Sequence, residues 1–202
     1  WIFRNNTFYR NGRRYVVRTG VRTDPALIIT RGTGNQVYNN IVYDNWAGIL
    51  VGLGASDTLV ANNTVYGNDV YGINVDNAYS GSLNARVVNN IVWNNGGTNI
   101  RDIATGTRIE ANLTTDPRFV DVTAMPAPDF RLMPGSPAID MGLSLMEVVQ
   151  DFVGTRRPQG AAFDIGAFEY TAATPMPDAG VPPPDGGIAS GCAEEFGHVA
   201  GF

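Results

Sequence analysis

Apolar residues in the first half of the chain come in short alternating runs, not at helical spacing. Phe3, Val37, Val60, Val87 and Ile109 are each followed three positions later by an Asn, at Asn6, Asn40, Asn63, Asn90 and Asn112. In four places the match extends to a heptapeptide: NNTFYRN from Asn5, NNIVYDN from Asn39, NNTVYGN from Asn62 and NNIVWNN from Asn89. A chain that repeats itself in this way is one supersecondary unit stacked on copies of itself, since no single copy can bury its own apolar face. The copies start 34, 23 and 27 residues apart, and a degenerate fifth follows 22 residues later at Ala111-Asn112. The shorter spacings leave no room for paired helices, and the segments are rich in Val, Ile, Thr, Tyr and Gly. Three short strands joined by three turns fit each copy.

Counting outward from the second Asn of each pair sorts the repeat into columns. Two residues on are Phe8, Val42, Val65 and Val92, on the same side of the strand as the Asn by period-two alternation. Five residues on are Asn11, Asn45, Asn68 and Asn95, where a further turn is expected, and then a second apolar pair, Ile49/Val51 and Ile73/Val75, weaker at Ile100/Ile103. Copies stacked at about 4.8 Å close a continuous core. An inward Asn needs partners, because a buried amide without them costs about 1 to 3 kcal/mol. Identical amides one copy apart can bond one another and the turn backbone, so Asn40, Asn63 and Asn90 are expected to form an internal ladder.

This pattern, V-x-x-N-x-V-[YW]-x-N, resembles the right-handed parallel β-helix repeat of pectate lyases, related polysaccharide lyases and hydrolases, and many bacterial surface proteins. The resemblance covers roughly residues 1 to 115. It implies an all-β solenoid, with a C-terminal module to cap it and a disordered tail. The longer spacings then mark insertions at turns, Arg13 to Pro25 and Asn77 to Leu83. Such loops are either the wall of a substrate cleft or decoration.

Composition divides the remainder. All nineteen Asn residues lie between Asn5 and Asn112, and the chain from Thr171 is rich in Pro, Gly, Ala and Asp. The expected parts are therefore 1–115, 116–170 and 171–202. Asp116 to Glu169 carries DPRFVD, DFRLMPGSPAIDMG, DFVGTRRP and DIGAFE. These closely resemble the choice-of-anchor Q type module that follows β-helices in secreted bacterial proteins. That resemblance implies a secreted or cell-surface bacterial protein. Its physical reading is an end cap, because an uncovered terminal strand invites aggregation. Asp140, Asp151, Asp164 and Glu169 with Arg156 and Arg157 are either fasteners of that cap or a catalytic carboxylate set.

The tail sequence TPMPDAGVPPPDGG resembles the spacers before surface-sorting signals of myxobacterial exported proteins, and its Pro content favours an extended linker. Gly191-Cys192 follows without the apolar span and Arg cluster of such a signal, so cell-envelope anchoring is an expectation from resemblance only. His198 has no second His to join it in a metal site. The first residue is Trp, already inside a repeat, and the sequence is expected to be the C-terminal piece of a longer protein.

Charge narrows the partners. The net charge of −5 belongs mostly to the tail: residues 1 to 170 hold 14 Arg against 15 acids, and the tail holds four acids and no Arg. A nearly neutral folded part without a basic stripe makes nucleic acid a poor partner. No apolar run approaches the ~20 residues of a membrane span. With a single Cys no disulfide forms within the chain. Lys is absent, which leaves Arg as the only basic side chain of high pKa available as a catalytic base.

Three residues after the ladder Asn comes an outward column, Tyr9, Tyr43, Tyr66 and Trp93. Aromatic rings repeated along a groove can stack on sugar faces while keeping a polar tip wet, so Tyr43, Tyr66 and Trp93 are the expected substrate-binding residues. The alternative is that the rings brace one another or lie under the C-terminal module. The β-helix resemblance implies carboxylates, with Ca²⁺ if the protein is a lyase, or paired acids if a hydrolase. Asp44, Asp57, Asp69, Asp76 and Asp102 are the candidates, but they form no column, and no residue is singled out as catalytic. Two readings follow: the C-terminal part of an exported pectate-lyase-like enzyme, or a non-enzymatic stalk or adhesin. The first takes a polysaccharide, the second binds carbohydrate or another partner, and a monomer is expected in either case.

Overall fold

A computed structural model describes residues 1–11, 25–77 and 81–172. The insertion expected from Arg13 to Pro25, apart from Pro25 itself, and the tail 171–202, with Cys192 and His198 and apart from residues 171–172, lie outside these residues. So does the middle of the second insertion, residues 78–80.

Strands appear where the alternation placed them. The first copy forms β1 (Ile2–Arg4), β2 (Thr7–Tyr9) and β3 (Pro25–Thr30). The second forms β4 (Gln36–Tyr38), β5 (Ile41–Tyr43) and β6 (Ala47–Gly52), and the third forms β7 (Leu59–Ala61), β8 (Thr64–Tyr66) and β9 (Tyr71–Val75). The fourth forms β10 (Arg86–Val88), β11 (Ile91–Trp93) and β12 (Thr98–Asp102), and β13 (Arg108–Glu110) opens a fifth. The C-terminal module contributes β14 (Phe119–Asp121) and β15 (Asp129–Leu132), paired antiparallel. There is no helix among the described residues.

Equivalent strands of successive copies pair in parallel, giving three sheets. Their orders are β1-β4-β7-β10-β13, β2-β5-β8-β11 and β3-β6-β9-β12, here called sheets A, B and C. The chain is thus a parallel β-solenoid. Register matches the sequence columns, with Phe3, Val37, Val60, Val87 and Ile109 side by side in sheet A and Phe8, Val42, Val65 and Val92 in sheet B. With Ile49, Val51, Ile73 and Val75 of sheet C these residues fill the interior, and from Val37 to Val92 they are fully buried.

The Asn ladder forms at the corner between sheets A and B. Asn40 donates both its backbone N–H and its Nδ2 to Asn63 Oδ1 at 2.9 Å, and its Nδ2 also reaches the carbonyls of Phe3 and Tyr38. The same amide contacts link Asn6 to Asn40, Asn63 to Asn90 and Asn90 to Asn112. A second ladder, at positions that the sequence marks only as a turn column, runs along the corner between sheets B and C through Asn11, Asn45, Asn68 and Asn95. Residues just before the ladder Asn turn the chain with positive φ: Asn5, Asn39, Asn62 and Asn89 at the first corner, and Arg10, Asp44, Gly67 and Asn94 at the second. Asn tolerates that left-handed geometry better than most residues, which explains the doubled Asn.

The C-terminal module is not an end cap. It runs along the outside of the solenoid, over the corner between sheets A and B. Leu145, Val148 and Phe163 pack on Tyr38, Leu59, Ala61 and Val88 of sheet A. Ala138 and Ile165 pack on Ile91 of sheet B. The first Asn of each pair points outward and holds this cover. Asn5 donates to Phe152 O (2.8 Å), Asn39 to Gln150 O (2.6 Å), Asn62 to Asp164 O (2.9 Å) and Asn89 to Leu143 O (2.7 Å). The physical reason is that the corner offers a row of outward amides beside an apolar patch on sheet A, Tyr38, Leu59, Ala61 and Val88, whereas the end strand β13 is exposed along its length.

The acids of the module fasten it. Arg157 is wholly buried and bonds Glu169 Oε2 at 2.6 Å, the carbonyls of Asp164 and Gly166, and Asn39 Oδ1. Burial pushes Glu169 up from the ordinary carboxylate range and Arg157 down, each opposed by the attraction of the other. Glu169 nevertheless accepts the backbone N–H groups of Gln159 and Asp164, which stabilises the carboxylate. Asp140, Asp151 and Asp164 likewise accept backbone N–H groups, from Ala162, Val153 and Asp140 in turn. Of the two uses expected for this set, fastening is the one the geometry serves, though on the flank of the solenoid and not at its end.

The ladder and the buried ion pair are both open to measurement. Asn63→Ala strands the N–H of Asn40 in the middle of the ladder and is expected to cost about 3 kcal/mol. Asn112→Ala, at the half-exposed end, is expected to cost about 1 kcal/mol; denaturant unfolding of both variants reads the gradient. Arg157→Met leaves Glu169 buried without its cation and is expected to cost about 3 to 5 kcal/mol, with Arg157→Met/Glu169→Leu recovering much of the loss in the same measurement.

Candidate functional site

Tyr9, Tyr43, Tyr66 and Trp93 end the four strands of sheet B and lie in register. Because Phe8, Val42, Val65 and Val92 point into the core, their neighbours point out. The antiparallel pair β14–β15 crosses the middle of this column. Phe130 meets Tyr43 and Tyr66 at ring-centroid distances of 5.3 and 5.6 Å, and Phe119 meets Tyr66 edge-on at 5.9 Å.

The column therefore combines the two expected uses. In the middle, Tyr43 and Tyr66 are half-buried and brace the module. At one end Tyr9 is 51% exposed, although one face of its ring is stacked on Tyr43 at 5.4 Å and 6°. At the other end Trp93 is half-buried beside Leu113 and Phe119. Phe119 and Phe130 are site residues that sequence reasoning misses. Nothing in their local pattern says which strands they cross.

Two clefts flank the braced centre and share Tyr66 and Val122. One, of about 320 Å³, lies between Tyr9, Tyr43 and the loop through Met125 and Pro126, with Arg10 and Asp44 at its edge. The other, of about 380 Å³, lies between Tyr66, Trp93 and Phe119, with Asp116 and Arg118 beside them. Each cleft thus carries aromatic walls, one Arg and one Asp. Arg10 Nε bonds Asp44 Oδ2 at 3.2 Å, and Arg118 donates from its guanidinium to Gly135 O and from its backbone to Asp116. Asn94 donates to the Tyr66 hydroxyl at 3.2 Å. Burial, and then Tyr9, push the Tyr43 phenol upward, so it stays a protonated hydrogen-bond donor.

The other candidate acids stand apart from this groove. Asp57 accepts from Asn84, and Asp102 accepts from Thr107 and from the backbone of Ala104. Asp69 follows Asn68 at the corner between sheets B and C, where its N–H donates to Asn45 O. Asp76 lies against Gly52, its Cβ 3.7 Å from where a Cβ on that glycine would stand. On sheet C, Arg101 donates to Asn74 at 3.2 Å and lies 3.9 Å from Asp76. Beside this trio Tyr71 is pushed up to about 12, by burial first and by Asp76 second. Among the described residues, no three His, Cys, Asp or Glu side chains come together as a metal site.

Comparison with known proteins places the fold. No curated protein matches the chain. The crystal structure of pectate lyase Pel9A is similar to it with a TM-score of 0.34 and 14% sequence identity, covering 84% of this chain and 65% of that one. The chain thus spans 65% of the length of that structure. The family model for the right-handed β-helix region matches residues 1–120, which hold all thirteen described strands of the solenoid and the start of the module. On that match, and on the parallel coil that its repeats build, the chain belongs to the right-handed β-helix family.

Proposed function

We propose that this is an exported bacterial cell-surface protein that binds a polysaccharide in the groove along Tyr9, Tyr43, Tyr66 and Trp93. The observation that carries this reading is the pair of clefts, each with aromatic walls, one Arg and one Asp. Sugars present apolar faces and a rim of hydroxyls, so they suit aromatic walls with polar tips. Successive aromatic positions lie one strand spacing apart, about 4.8 Å, close to the breadth of a sugar ring, and a linear chain can run along the column. The near-neutral charge of residues 1 to 170 speaks against nucleic acid as the polymer.

Export and anchoring rest on the likeness of Asp116 to Glu169 to the choice-of-anchor Q type module and of the following segment to a surface spacer. A catalytic version, the C-terminal part of a lyase or hydrolase, needs acids and bases that converge on a bound sugar. In the groove Asp44 is held by Arg10 and Asp116 accepts the backbone N–H of Arg118, while Asp76 is held by Arg101 on another sheet. Binding is therefore the function assigned to this groove.

The variant that tests it is Tyr9→Ala, whose side chain is half exposed at the open end of the column. It is expected to weaken retention on pectate or alginate in affinity electrophoresis about fivefold, roughly 1 kcal/mol, with a small fall in melting temperature from the lost stack on Tyr43. Trp93→Ala is expected to weaken it as much, with some loss of stability. Retention unaltered by both substitutions would remove the groove as the binding site. Release of unsaturated product from these polymers by the intact protein would add chemistry to the assignment.

A further inference from the structure

The solenoid ends, among the described residues, at β13 with an unpaired strand edge. Among the described residues β13 has one neighbour, β10, and its three residues are all exposed. Ile109 stands in the core column with Val60 and Val87, which are fully buried, yet it is itself 46% exposed. Ile103, at the preceding corner, is 39% exposed. The cover supplied by the C-terminal module lies on the flank and leaves this edge open.

Backbone direction sets how a partner can pair. Arg108 N–H donates to Ala85 O, and Glu110 O accepts from Asn89 N–H, so residues 108 and 110 spend their backbone groups on the solenoid. Alternate residues of a strand face opposite neighbours, so the N–H and C=O of Ile109 point to the open side. A single residue with both groups directed outward at the centre of a short edge fits a two-fold antiparallel pair, in which the same residue of each strand exchanges both hydrogen bonds with its twin.

The side chains select the same partner. About a two-fold axis at Ile109, Arg108 of each strand lies opposite Glu110 of the other, giving two opposite-charge cross-strand pairs. Glu110 meets Arg86 of β10 at 3.4 Å and keeps an exposed side chain, so it can accept from a cation on either side. Edge charges repel a second copy where like charges come to stand directly opposite one another. The sequence Arg-Ile-Glu does the reverse and is self-complementary in the antiparallel sense. The two exposed Ile109 side chains then meet on the core side and cover each other.

We propose that two copies of this chain join end to end through antiparallel pairing of their β13 strands, centred on Ile109, in place of the monomer expected from the sequence. The closed two-fold contact limits assembly at this end to a dimer.

Sedimentation equilibrium on the full chain tests the idea, and a charge exchange isolates this edge from any other contact. The wild type is expected to be a concentration-dependent dimer. Arg108→Glu places an acid opposite Glu110, and Glu110→Arg places a cation opposite Arg108; each is expected to raise the dissociation constant by more than about tenfold. Mixing the two variants sets the two acids of one strand opposite the two arginines of the other, and is expected to restore a heterodimer. This rescue requires both variants to be folded, so its success excludes misfolding as the cause of the loss. A wild type that stays monomeric across the accessible range, a dimer indifferent to both substitutions, or a mixture that fails to associate would each overturn the proposal.

Discussion

The structure depends on one repeated constraint: the carboxamide of an inward Asn must find its bonds in the next rung. Asn63 Oδ1 accepts both the backbone N–H and the Nδ2 of Asn40, and Asn90 Oδ1 does the same for Asn63. A register slip of one residue would break every rung of this chain of bonds and bury several polar groups unsatisfied. The ladder therefore fixes register at two corners of the coil. It also explains where insertions are allowed. The long one begins just after Asn11 and the short one just after β9, so both leave the ladder positions of their rungs in place. At the corner between sheets C and A the rungs meet through varied contacts in place of a ladder, among them the hydroxyl pair of Thr33 with Ser56, the bond from Asn84 to Asp57 and isolated bridges.

Much of this was legible because it repeats. Val-x-x-Asn recurs with its neighbours, and inward positions declare themselves when four copies agree. The doublet held a further message that the ladder alone did not account for. If the second Asn points inward, the first points outward on a left-handed turn, and four outward amides in a row need a reason. They are the hooks for the C-terminal module. Sheet A carried a matching signal: β7 is Leu-Val-Ala and β10 ends in Val-Val, apolar on both faces, which marks a strand covered on both sides. An amphipathic reading of those strands expects water where Leu145, Val148 and Phe163 lie.

The candidate site was legible only in part, for a reason of the same kind. The column from Tyr9 to Trp93 follows from the repeat. Whether its rings are walls or braces depends on Phe119 and Phe130, which belong to a non-repeating segment. Single copies give no column to count, and their placement across sheet B is a tertiary result of the module docking on the corner amides. The β14–β15 pair crosses the column at Tyr43 and Tyr66, so a cleft is left on each side of it, and of the four rings only Tyr9 stays exposed.

The flank cover also changes how such a coil holds together. In a simple solenoid each rung touches only its neighbours, so stability is a sum of local steps and the ends fray. Here the segment from Leu143 to Gly166 reaches Asn89 at one end of the row and, through Phe152, Asn5 at the other. Rungs that never touch are thereby tied to one compact piece, itself locked by the buried pair of Arg157 and Glu169. Loss of an end rung then means loss of module contacts shared with the rest, which raises the cost of fraying without any lid on the end. A coil stabilised from the side can leave its terminal strand exposed, and that freedom is what makes the edge at β13 available for pairing.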